Sequence, residues 1–169
     1  MKFVGSMSDL RVGTGFDVHA LEPGVPLVLG GVPFQSPRGL AGHSDGDVIT
    51  HALIDALLGA AGLGDIGTLF PSDDPELYGV SSLKLLREAY AQVLRRGYAL
   101  VNADVVLIGQ EPKIAPVRDQ MRTQLAGTLD VDKERISVRA TTTDGLGFTG
   151  RGEGLAAQAV ALLQTVMSS

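Results

Sequence analysis

All three histidines of this chain, His19, His43 and His51, lie in its first third and close to carboxylates. Histidine is the most common metal ligand among side chains and the usual proton carrier near neutral pH. Because the chain has no cysteine, a zinc site would need nitrogen and oxygen ligands, which Asp17, His19 and His51 could supply. Three protein ligands and one open position are typical of catalytic rather than structural zinc. The sequence therefore indicates a catalytic metal site in this stretch.

Two elements have to bring these three ligands together. Residues 10–18 have the glycine-punctuated, partly β-branched pattern of a strand, on which Asp17 and His19 point to the same side. His51 lies on a helix predicted for residues 47–61. The side chains of that helix are apolar almost all round, so we expect the helix to be buried.

A second interpretation is open for His51 taken alone. Asp47, His51 and Asp55 are spaced four residues apart and form one polar stripe on the predicted helix. A buried ionisable group is costly unless it is paired or bound to a metal. His51 could therefore be a core histidine that is hydrogen-bonded to Asp47 or Asp55. Only its combination with Asp17 and His19 favours the metal.

The turn His43-Ser44-Asp45-Gly46 leads into this helix. A helix N-terminus offers free backbone N–H groups and the positive end of the dipole, which suits a phosphate. His43 is therefore a candidate phosphate-binding residue. Ser44 or Asp45 could at the same time cap the helix.

The rest of the chain alternates strands and helices, which predicts one α/β (α+β) domain with a mixed sheet packed on helices. The predicted elements are a small hairpin of residues 27–29 and 32–34 around Gly30-Gly31, a helix that begins near Ser81 or Ser82 and ends at Gly97, a strand over 101–108, a helix from Pro116 towards Leu129, a strand over 136–142 and a final apolar helix over 155–167. The helix near Ser82 would place one apolar face inward, formed by Leu83, Leu86, Tyr90, Val93 and Leu94. We assign residues 10–167 to the domain and residues 1–9 to an N-terminal extension or cloning remnant.

Composition excludes several functional classes. The net charge of −5 and the isoelectric point near 5.1 give no basic surface for nucleic acid. The absence of cysteine excludes disulfides and thiol chemistry. No apolar run reaches the ~20 residues of a membrane span, and no signal peptide is recognisable at the N-terminus. We therefore expect a cytoplasmic protein.

Four loops are further candidates for ligand binding. Glycines in 62–67 let the backbone approach a ligand, although a helix exit would have the same composition. Residues 109–115 and 141–144 follow predicted strands, where ligands bind in open α/β sheets. Taken alone, the three consecutive threonines could equally be ordinary strand residues. The loop 145–154 contains five glycines.

Together these segments resemble the 2-C-methyl-D-erythritol 2,4-cyclodiphosphate synthase family of the non-mevalonate isoprenoid pathway, from about Arg11 to Val166. The segments that carry the resemblance are Gly15-Phe16-Asp17-Val18-His19, His43-Ser44-Asp45-Gly46-Asp47, Leu58-Gly59-Ala60-Ala61, Gly64-Asp65-Ile66-Gly67 and Thr141-Thr142-Thr143 through Gly147-Phe148-Thr149-Gly150-Arg151-Gly152-Glu153-Gly154. The chain departs from the family pattern at Ser72, Asp144 and Gly145, where aspartate, glutamate and lysine are common.

The resemblance implies a phosphorus–oxygen lyase. Family members convert 4-diphosphocytidyl-2-C-methyl-D-erythritol 2-phosphate into 2-C-methyl-D-erythritol 2,4-cyclodiphosphate and CMP. It further implies one Zn²⁺ per site on Asp17, His19 and His51, and His43 and Thr142 as catalytic residues. Asp144 would hold a second divalent ion, Mg²⁺ or Mn²⁺, that bridges the substrate phosphates.

The resemblance also implies an extended substrate site, a chorismate-mutase-like fold and a homotrimer with active sites between subunits. Phe148 and Arg151 would line a central cavity for an isoprenoid diphosphate. The implied substrate-binding residues are Asp17, Val18, His19, His43, Ser44, Asp65, Ile66, Gly67, Phe70, Pro71, Ser72, Asp73, Asp74, Gly109, Gln110, Glu111, Pro112, Lys113, Ile114, Ala115, Thr141, Thr142, Thr143, Asp144, Phe148 and Arg151. Two rival functions remain open: a non-catalytic trimer that binds nucleotides or isoprenoid diphosphates, and a generic hydrolase with two histidines and one carboxylate.

Overall fold

The computed structural model describes residues 9–166. Residues 1–8 of the predicted extension and Met167 of the predicted last helix lie outside this range. The strands are β1 (Leu10–Pro23), β2 (Leu27–Leu29), β3 (Val32–Phe34), β4 (Arg38–Leu40), β5 (Tyr98–Ile108), β6 (Ile136–Thr141) and β7 (Gly154–Thr165). The helices are α1 (Val48–Ala61), α2 (Ile66–Leu69), α3 (Ser82–Arg95), α4 (Arg118–Leu129) and α5 (Gly147–Gly150), with 3₁₀ turns at Pro75–Leu77, Ala115–Val117 and Lys133–Arg135. No helix among the described residues is both long and apolar enough to cross a bilayer.

One mixed sheet positions most of the candidate residues. Its strand order is β4-β1-β7-β5-β6, and β2 and β3 form a separate two-stranded hairpin. β5 and β6 are parallel, and the other neighbouring strands of the large sheet are antiparallel. The predicted mixed sheet and small hairpin are therefore confirmed. Because β5 and β6 are parallel, the loops that follow them leave the same edge of the sheet.

The last element is a strand, and the prediction of a helix over 155–167 was wrong. β7 pairs with β1 on one side and with β5 on the other. From Gln158 to Gln164 its side chains alternate between the core and the opposite face, with Ala159, Ala161 and Leu163 buried. Its first residues, 154–157, are all buried, so the alternation is hidden there. An apolar run rich in alanine is typical of a buried helix as well as of a central strand.

Two glycines on β1 allow α1 to lie against the strand almost in backbone contact. A Cβ atom at Gly13 would clash with the carbonyl oxygen of Ala56, and a Cβ atom at Gly15 would clash with that of Ala52. Both glycines are buried, and they alternate with side chains on the opposite face of the strand. The close approach fixes α1 against the strand that carries Asp17.

Both ends of α1 are defined by local hydrogen bonds. Asp47 is its N-cap residue: its carboxylate accepts hydrogen bonds from the Thr50 N–H at 3.1 Å and from the Thr50 hydroxyl at 2.6 Å. The prediction that Ser44 or Asp45 caps this helix was therefore wrong. Gly62 ends the helix in the left-handed conformation, with a φ angle of 68°.

α3 packs on α1 through the predicted apolar face, with one exception. Leu86, Tyr90 and Val93 are buried, but Leu94 is 47% exposed and does not belong to the core face as predicted. Gly97 follows the last turn with a φ angle of 89°, as predicted for a helix that ends there.

Candidate active site

The three predicted metal ligands meet in one small triangle of donor atoms. The Nε2 atom of His19 lies 2.9 Å from the Oδ2 atom of Asp17, and the Nδ1 atom of His51 lies 3.1 Å from that same oxygen. The two ring nitrogens are 3.1 Å apart. β1 supplies Asp17 and His19 on one face, and α1 supplies His51 from above that face. The predicted convergence of these three residues is confirmed.

The second nitrogen of each ring is held by other groups. Nδ1 of His19 lies 2.5 Å from the carbonyl oxygen of Ala41, an acceptor to which it donates. Nε2 of His51 lies 3.0 Å from the hydroxyl of Ser44 and 2.8 Å from that of Ser82. His19 therefore presents Nε2 to the centre of the triangle, whereas His51 presents Nδ1. Such outer contacts are typical of metal-bound histidines.

This donor set fits a zinc ion. Tetrahedral zinc with bonds of about 2.0–2.1 Å keeps its ligand atoms roughly 3.3 Å apart, close to the three separations found here. Two imidazole nitrogens and a carboxylate oxygen repel one another at such distances unless a proton or a cation lies between them. The residues that would hold the ion are Asp17, His19 and His51.

The contacts within the triangle shift the pKa values of Asp17 and His19 in opposite directions. Burial raises the pKa of Asp17, but hydrogen bonds with His19 and His51 outweigh it, so the pKa lies well below its usual range. Burial lowers the pKa of His19, yet the Asp17 carboxylate holds it above the ordinary histidine value. The site therefore favours the ionised form of the Asp17 carboxylate.

The alternative pairing of His51 with Asp47 or Asp55 was wrong. The Asp47 carboxylate is fully buried and accepts the backbone N–H groups of Gly30 and Gly31 at 2.8 Å each. Asp55 accepts the N–H of Ile66 at 2.7 Å. Both carboxylates thus anchor neighbouring loops to α1. The His51 ring is instead directed at Asp17 and His19, with which it forms the metal triangle.

The triangle lies in the wall of a cavity of about 650 Å³. Ile66, Phe70 and Leu77 give it apolar walls, and polar groups gather around the metal ligands. Its lining residues are Asp17, His19, His43, Ser44, His51, Ile66, Gly67, Phe70, Pro71, Ser72, Asp73, Leu77 and Leu85. All but Leu77 and Leu85 were predicted site residues. The structure therefore brings the first part of the predicted substrate site into one cavity.

His43 is held at the rim of this cavity. Its Nε2 atom donates to the backbone carbonyl of Asp74 across 2.8 Å, and its ring packs edge-on against Tyr78 with the centroids 5.6 Å apart. The other ring nitrogen, Nδ1, is consequently the one that can interact with a ligand. Asp74 supplies this backbone anchor, although its side chain caps the following 3₁₀ turn.

The loops after β5 and β6 line a second, smaller cavity of about 190 Å³. Its lining residues are Pro112, Lys113, Ile114, Ala115, Arg118, Ala140, Thr141 and Thr142. Both loops leave the same sheet edge, because the two strands are parallel. Within one chain, the metal triangle and these loops line separate cavities.

Ten predicted site residues line neither cavity. Val18 points to the opposite face of β1 from the metal ligands and is 41% exposed. The exposed Asp65 carboxylate caps α2 by accepting from the N–H and hydroxyl of Thr68. Asp144 accepts the hydroxyl of Thr142 at 3.1 Å. The other residues in this group are Asp74, Gly109, Gln110, Glu111, Thr143, Phe148 and Arg151.

Sequence reasoning missed Ser82, which contacts His51 directly. It lies at the first position of α3, 31 residues after His51 along the chain. Its only sequence signal is that of a serine at a helix start, which predicts a cap and not a contact with a metal ligand. The missed cavity residues Leu77 and Leu85 have no distinguishing signal at all.

Comparisons with known proteins show the family of the chain. The YgbB family model matches residues 10–164. The 2-C-methyl-D-erythritol 2,4-cyclodiphosphate synthase of Moorella thermoacetica is 60% identical over 154 residues, which are 91% of this chain and 94% of that protein. The synthase of Clostridium acetobutylicum is 52% identical over 91% of this chain and 99% of its own length.

Solved structures show the same fold. The bifunctional IspDF of Campylobacter jejuni matches with a TM-score of 0.91 and 45% identity, over 94% of this chain and 43% of that longer protein. A CDP-bound 2C-methyl-D-erythritol-2,4-cyclodiphosphate synthase matches with a TM-score of 0.83 and 44% identity, over 90% of this chain and 99% of the other. Family model, relatives and structures agree over nearly the whole chain. The chain therefore belongs to the YgbB family, the family of the 2-C-methyl-D-erythritol 2,4-cyclodiphosphate synthases.

Proposed function

We propose that this chain converts 4-diphosphocytidyl-2-C-methyl-D-erythritol 2-phosphate into 2-C-methyl-D-erythritol 2,4-cyclodiphosphate and CMP with the help of a zinc ion. The main observation in support is that Asp17, His19 and His51 meet in the wall of a cavity large enough for the methylerythritol phosphate. In the reaction the 2-phosphate attacks the β-phosphorus of the diphosphate, and CMP leaves. Positioning and charge neutralisation contribute most of the catalysis of phosphoryl transfer.

The residues of the larger cavity would hold the reacting half of the substrate. Bound zinc supplies a Lewis acid that polarises a phosphoryl oxygen. His43, anchored through Nε2, can direct Nδ1 or its proton at a phosphate oxygen. Ser44 offers a hydroxyl beside it, and the N–H groups around Gly67 approach the sugar. The apolar walls exclude water, which would otherwise compete with the 2-phosphate as nucleophile.

The smaller cavity would hold the cytidine half. Residues 109–115 supply backbone groups that can recognise the base, and Lys113 supplies a positive charge. Thr142 would stabilise the charge that develops on the diphosphate. The carboxylate of Asp144 suits Mg²⁺ or Mn²⁺, which bind proteins through one or two carboxylates together with substrate phosphates. Substrates of such charge do not cross membranes unaided, which supports the cytoplasm as the compartment.

A homotrimer with shared sites is part of the proposal. Two observations support it: the metal triangle and the cytidine loops line separate cavities within one chain, and one face of the sheet carries exposed apolar side chains. On β1 these are Leu10, Val12, Phe16 and Val18, which are 41–68% exposed. An exposed apolar patch of this kind is typical of a protein interface. Packed around a threefold axis, in the chorismate-mutase-like arrangement, these faces would bring the two half-sites of neighbouring chains together.

Turnover of the diphosphocytidyl substrate tests the proposed function directly. We expect CMP and the cyclic diphosphate in equal amounts, measured by ³¹P NMR and chromatography. CMP together with an opened, hydrolysed product would favour the generic hydrolase. Binding of CDP without turnover by the metal-loaded protein would favour the non-catalytic binding protein. Either of these two results would contradict the proposed reaction.

Mixed trimers test the shared sites. We expect no activity from His19→Ala or from Lys113→Ala/Thr142→Ala alone, because each lacks one half-site. When the two variants are refolded together in equal amounts, a quarter of the sites should combine two intact halves. This fraction follows from random assembly in a closed heterologous ring. Activity after co-refolding, compared with the parent, is the measurement.

The matched control for this experiment places both lesions in the same half. His19→Ala refolded with His51→Ala can form no intact site and should remain inactive. If mixed trimers form, as shown by mass spectrometry, and the first pair also regains nothing, both halves belong to one chain and the interfacial site is wrong.

Arg151 tests the proposed central cavity. Its guanidinium pairs with Glu153 at 3.0 Å and is 60% exposed, and Phe148 lies nearby in the same glycine-rich segment. Because a guanidinium matches the geometry of a diphosphate, Arg151→Ala should weaken binding of farnesyl diphosphate about tenfold or more. Calorimetry measures the affinity, and elemental analysis should show unchanged zinc. Equal affinity in variant and parent would eliminate this role.

A further inference from the structure

The edge of the His51 ring that faces away from the metal triangle contacts a short chain of polar side chains. Nε2 lies 2.8 Å from the Ser82 hydroxyl oxygen and 3.0 Å from that of Ser44. Ser82 is fully buried, and its hydroxyl donates to the carboxylate of Asp45. This carboxylate also accepts the backbone N–H groups of Ser82 at 2.9 Å and of Asp47 at 3.1 Å. Asp45 therefore joins the starts of α1 and α3 behind His51.

The direction of each hydrogen bond in this chain follows from its last member. The Asp45 carboxylate already accepts two backbone N–H groups, and as an acceptor it also takes the single proton of the Ser82 hydroxyl. The oxygen of Ser82 can then only accept from His51. A zinc ion held by Nδ1 would use the lone pair of that nitrogen, and the single proton of the ring would then lie on Nε2, where the oxygen of Ser82 accepts it.

Ser44 does not impose this direction. It lines the main cavity, and no carboxylate among the described residues accepts its proton. Besides the contact with His51, its oxygen receives a long contact of 3.4 Å from the N–H of Gly46. Its hydroxyl can thus donate or accept, and it can turn towards a ligand. Of the two hydroxyls near His51, only that of Ser82 has a fixed orientation.

We propose that Asp45 and Ser82 are positioning residues, which fix the tautomer and the orientation of the His51 ring so that Nδ1 is presented to zinc. This inference rests on the zinc site proposed above. Neither residue belongs to the three candidate metal ligands or lines the main cavity, and each acts through the ring of His51. The chain Asp45–Ser82–His51 has the form of the outer hydrogen bonds that orient metal-bound histidines in other proteins.

Zinc affinity provides the first test, measured by competition with a chelator of known affinity. Ser82→Ala removes the fixed acceptor, and Asp45→Ala frees the Ser82 hydroxyl to turn its proton towards His51. Each should weaken zinc binding about 10- to 100-fold. Both substitutions act through the same hydrogen bond to His51. The double variant should therefore lose no more zinc affinity than the single variant that binds zinc more weakly. The matched control is Ser81→Ala, at a neighbouring serine whose side chain makes no capping hydrogen bond at the same helix end; this variant should bind zinc like the parent.

The imidazole protons provide a second test that a purely structural role would not affect. In the zinc-loaded parent, the His51 Nε2–H should be seen in ¹H–¹⁵N spectra and exchange slowly with water. In Ser82→Ala it should shift and exchange faster. Ser82→Thr keeps the hydroxyl and should restore both the slow exchange and the affinity. Asp45→Asn, which keeps the volume of the side chain, tests the same chain if Ser82→Ala is unfolded.

Two outcomes would overturn the positioning role while leaving the zinc site intact. One is zinc binding by folded Ser82→Ala or Asp45→Asn within twofold of the parent, with an unchanged Nε2–H signal. The other is a double variant whose loss equals the product of the two single losses, which would show two independent structural effects. A parent protein that binds no zinc would instead contradict the proposed function itself.

Discussion

Replacing His51 by alanine is expected to abolish zinc binding and to reduce turnover about a thousandfold or more. His51 supplies one of the three candidate ligands found among the described residues, and the remaining pair, Asp17 and His19, would bind a metal weakly. A bound metal contributes several kcal/mol of transition-state stabilisation, which corresponds to this factor in rate. Elemental analysis and turnover of the diphosphocytidyl substrate are the measurements. Circular dichroism should show that the fold persists, because His51 lines the cavity and the apolar core around α1 is left unchanged.

His43→Ala is the matched control for this experiment. It removes an imidazole from the same cavity but none of the metal ligands, so we expect full zinc content with strongly reduced turnover. The pair of variants thereby separates loss of metal from loss of a catalytic side chain. If His51→Ala contains no zinc and still turns over substrate at nearly the parental rate, the assignment of the metal site is wrong.

Gly15→Ala is expected to destabilise the protein by about 3 kcal/mol or more. The added methyl group would overlap the carbonyl oxygen of Ala52, and a helix backbone cannot move aside as a flexible side chain can. Since domains are stable by only about 5–15 kcal/mol, a loss of this size is readily measured by urea denaturation.

Gly127→Ala is the control, and we expect it to raise the free energy of unfolding rather than lower it. Gly127 lies within α4. Apart from its chain neighbours and the backbone of its own helix, a Cβ atom there would meet no atom of the described residues within 4 Å. Alanine is a better helix former, so this change should stabilise the protein by about 0.5–1 kcal/mol. If Gly15→Ala is as stable as the parent, α1 does not depend on this close approach.

Local patterns predicted most of the fold and the metal triangle. The period-two spacing of Asp17 and His19 on a strand, and the position of His51 on a buried helix, were enough to predict their meeting. β7 was misassigned because a central strand whose first residues are all buried lacks alternation, and because alanine favours helices. The periodicity of side chains indicates only which of them are buried. The sequence of β7 does not indicate that this segment pairs with β1 and β5.

The contacts of His51 show where prediction from sequence stops. Asp47 and Asp55 were plausible partners because they lie one turn away, but each is used to hold a loop on α1. The hydroxyl groups that do contact the His51 ring belong to Ser82, which lies on another helix, and to Ser44, which lies in the turn before α1. Which of several polar residues meets a buried histidine depends on how helices pack, which the spacing of residues along one helix does not determine.

The close packing of α1 on Gly13 and Gly15 has a consequence for how metal binding and folding are related. Many small zinc domains are unfolded without metal, because the ion gathers ligands from a flexible chain. Here the strand with two ligands and the helix with the third are joined by backbone contact and by a core that needs no ion. The free energy of zinc binding therefore does not have to offset the loss of conformational entropy that comes with ordering the chain. Metal-free protein should remain folded, with a melting temperature that rises on adding zinc only as mass action requires.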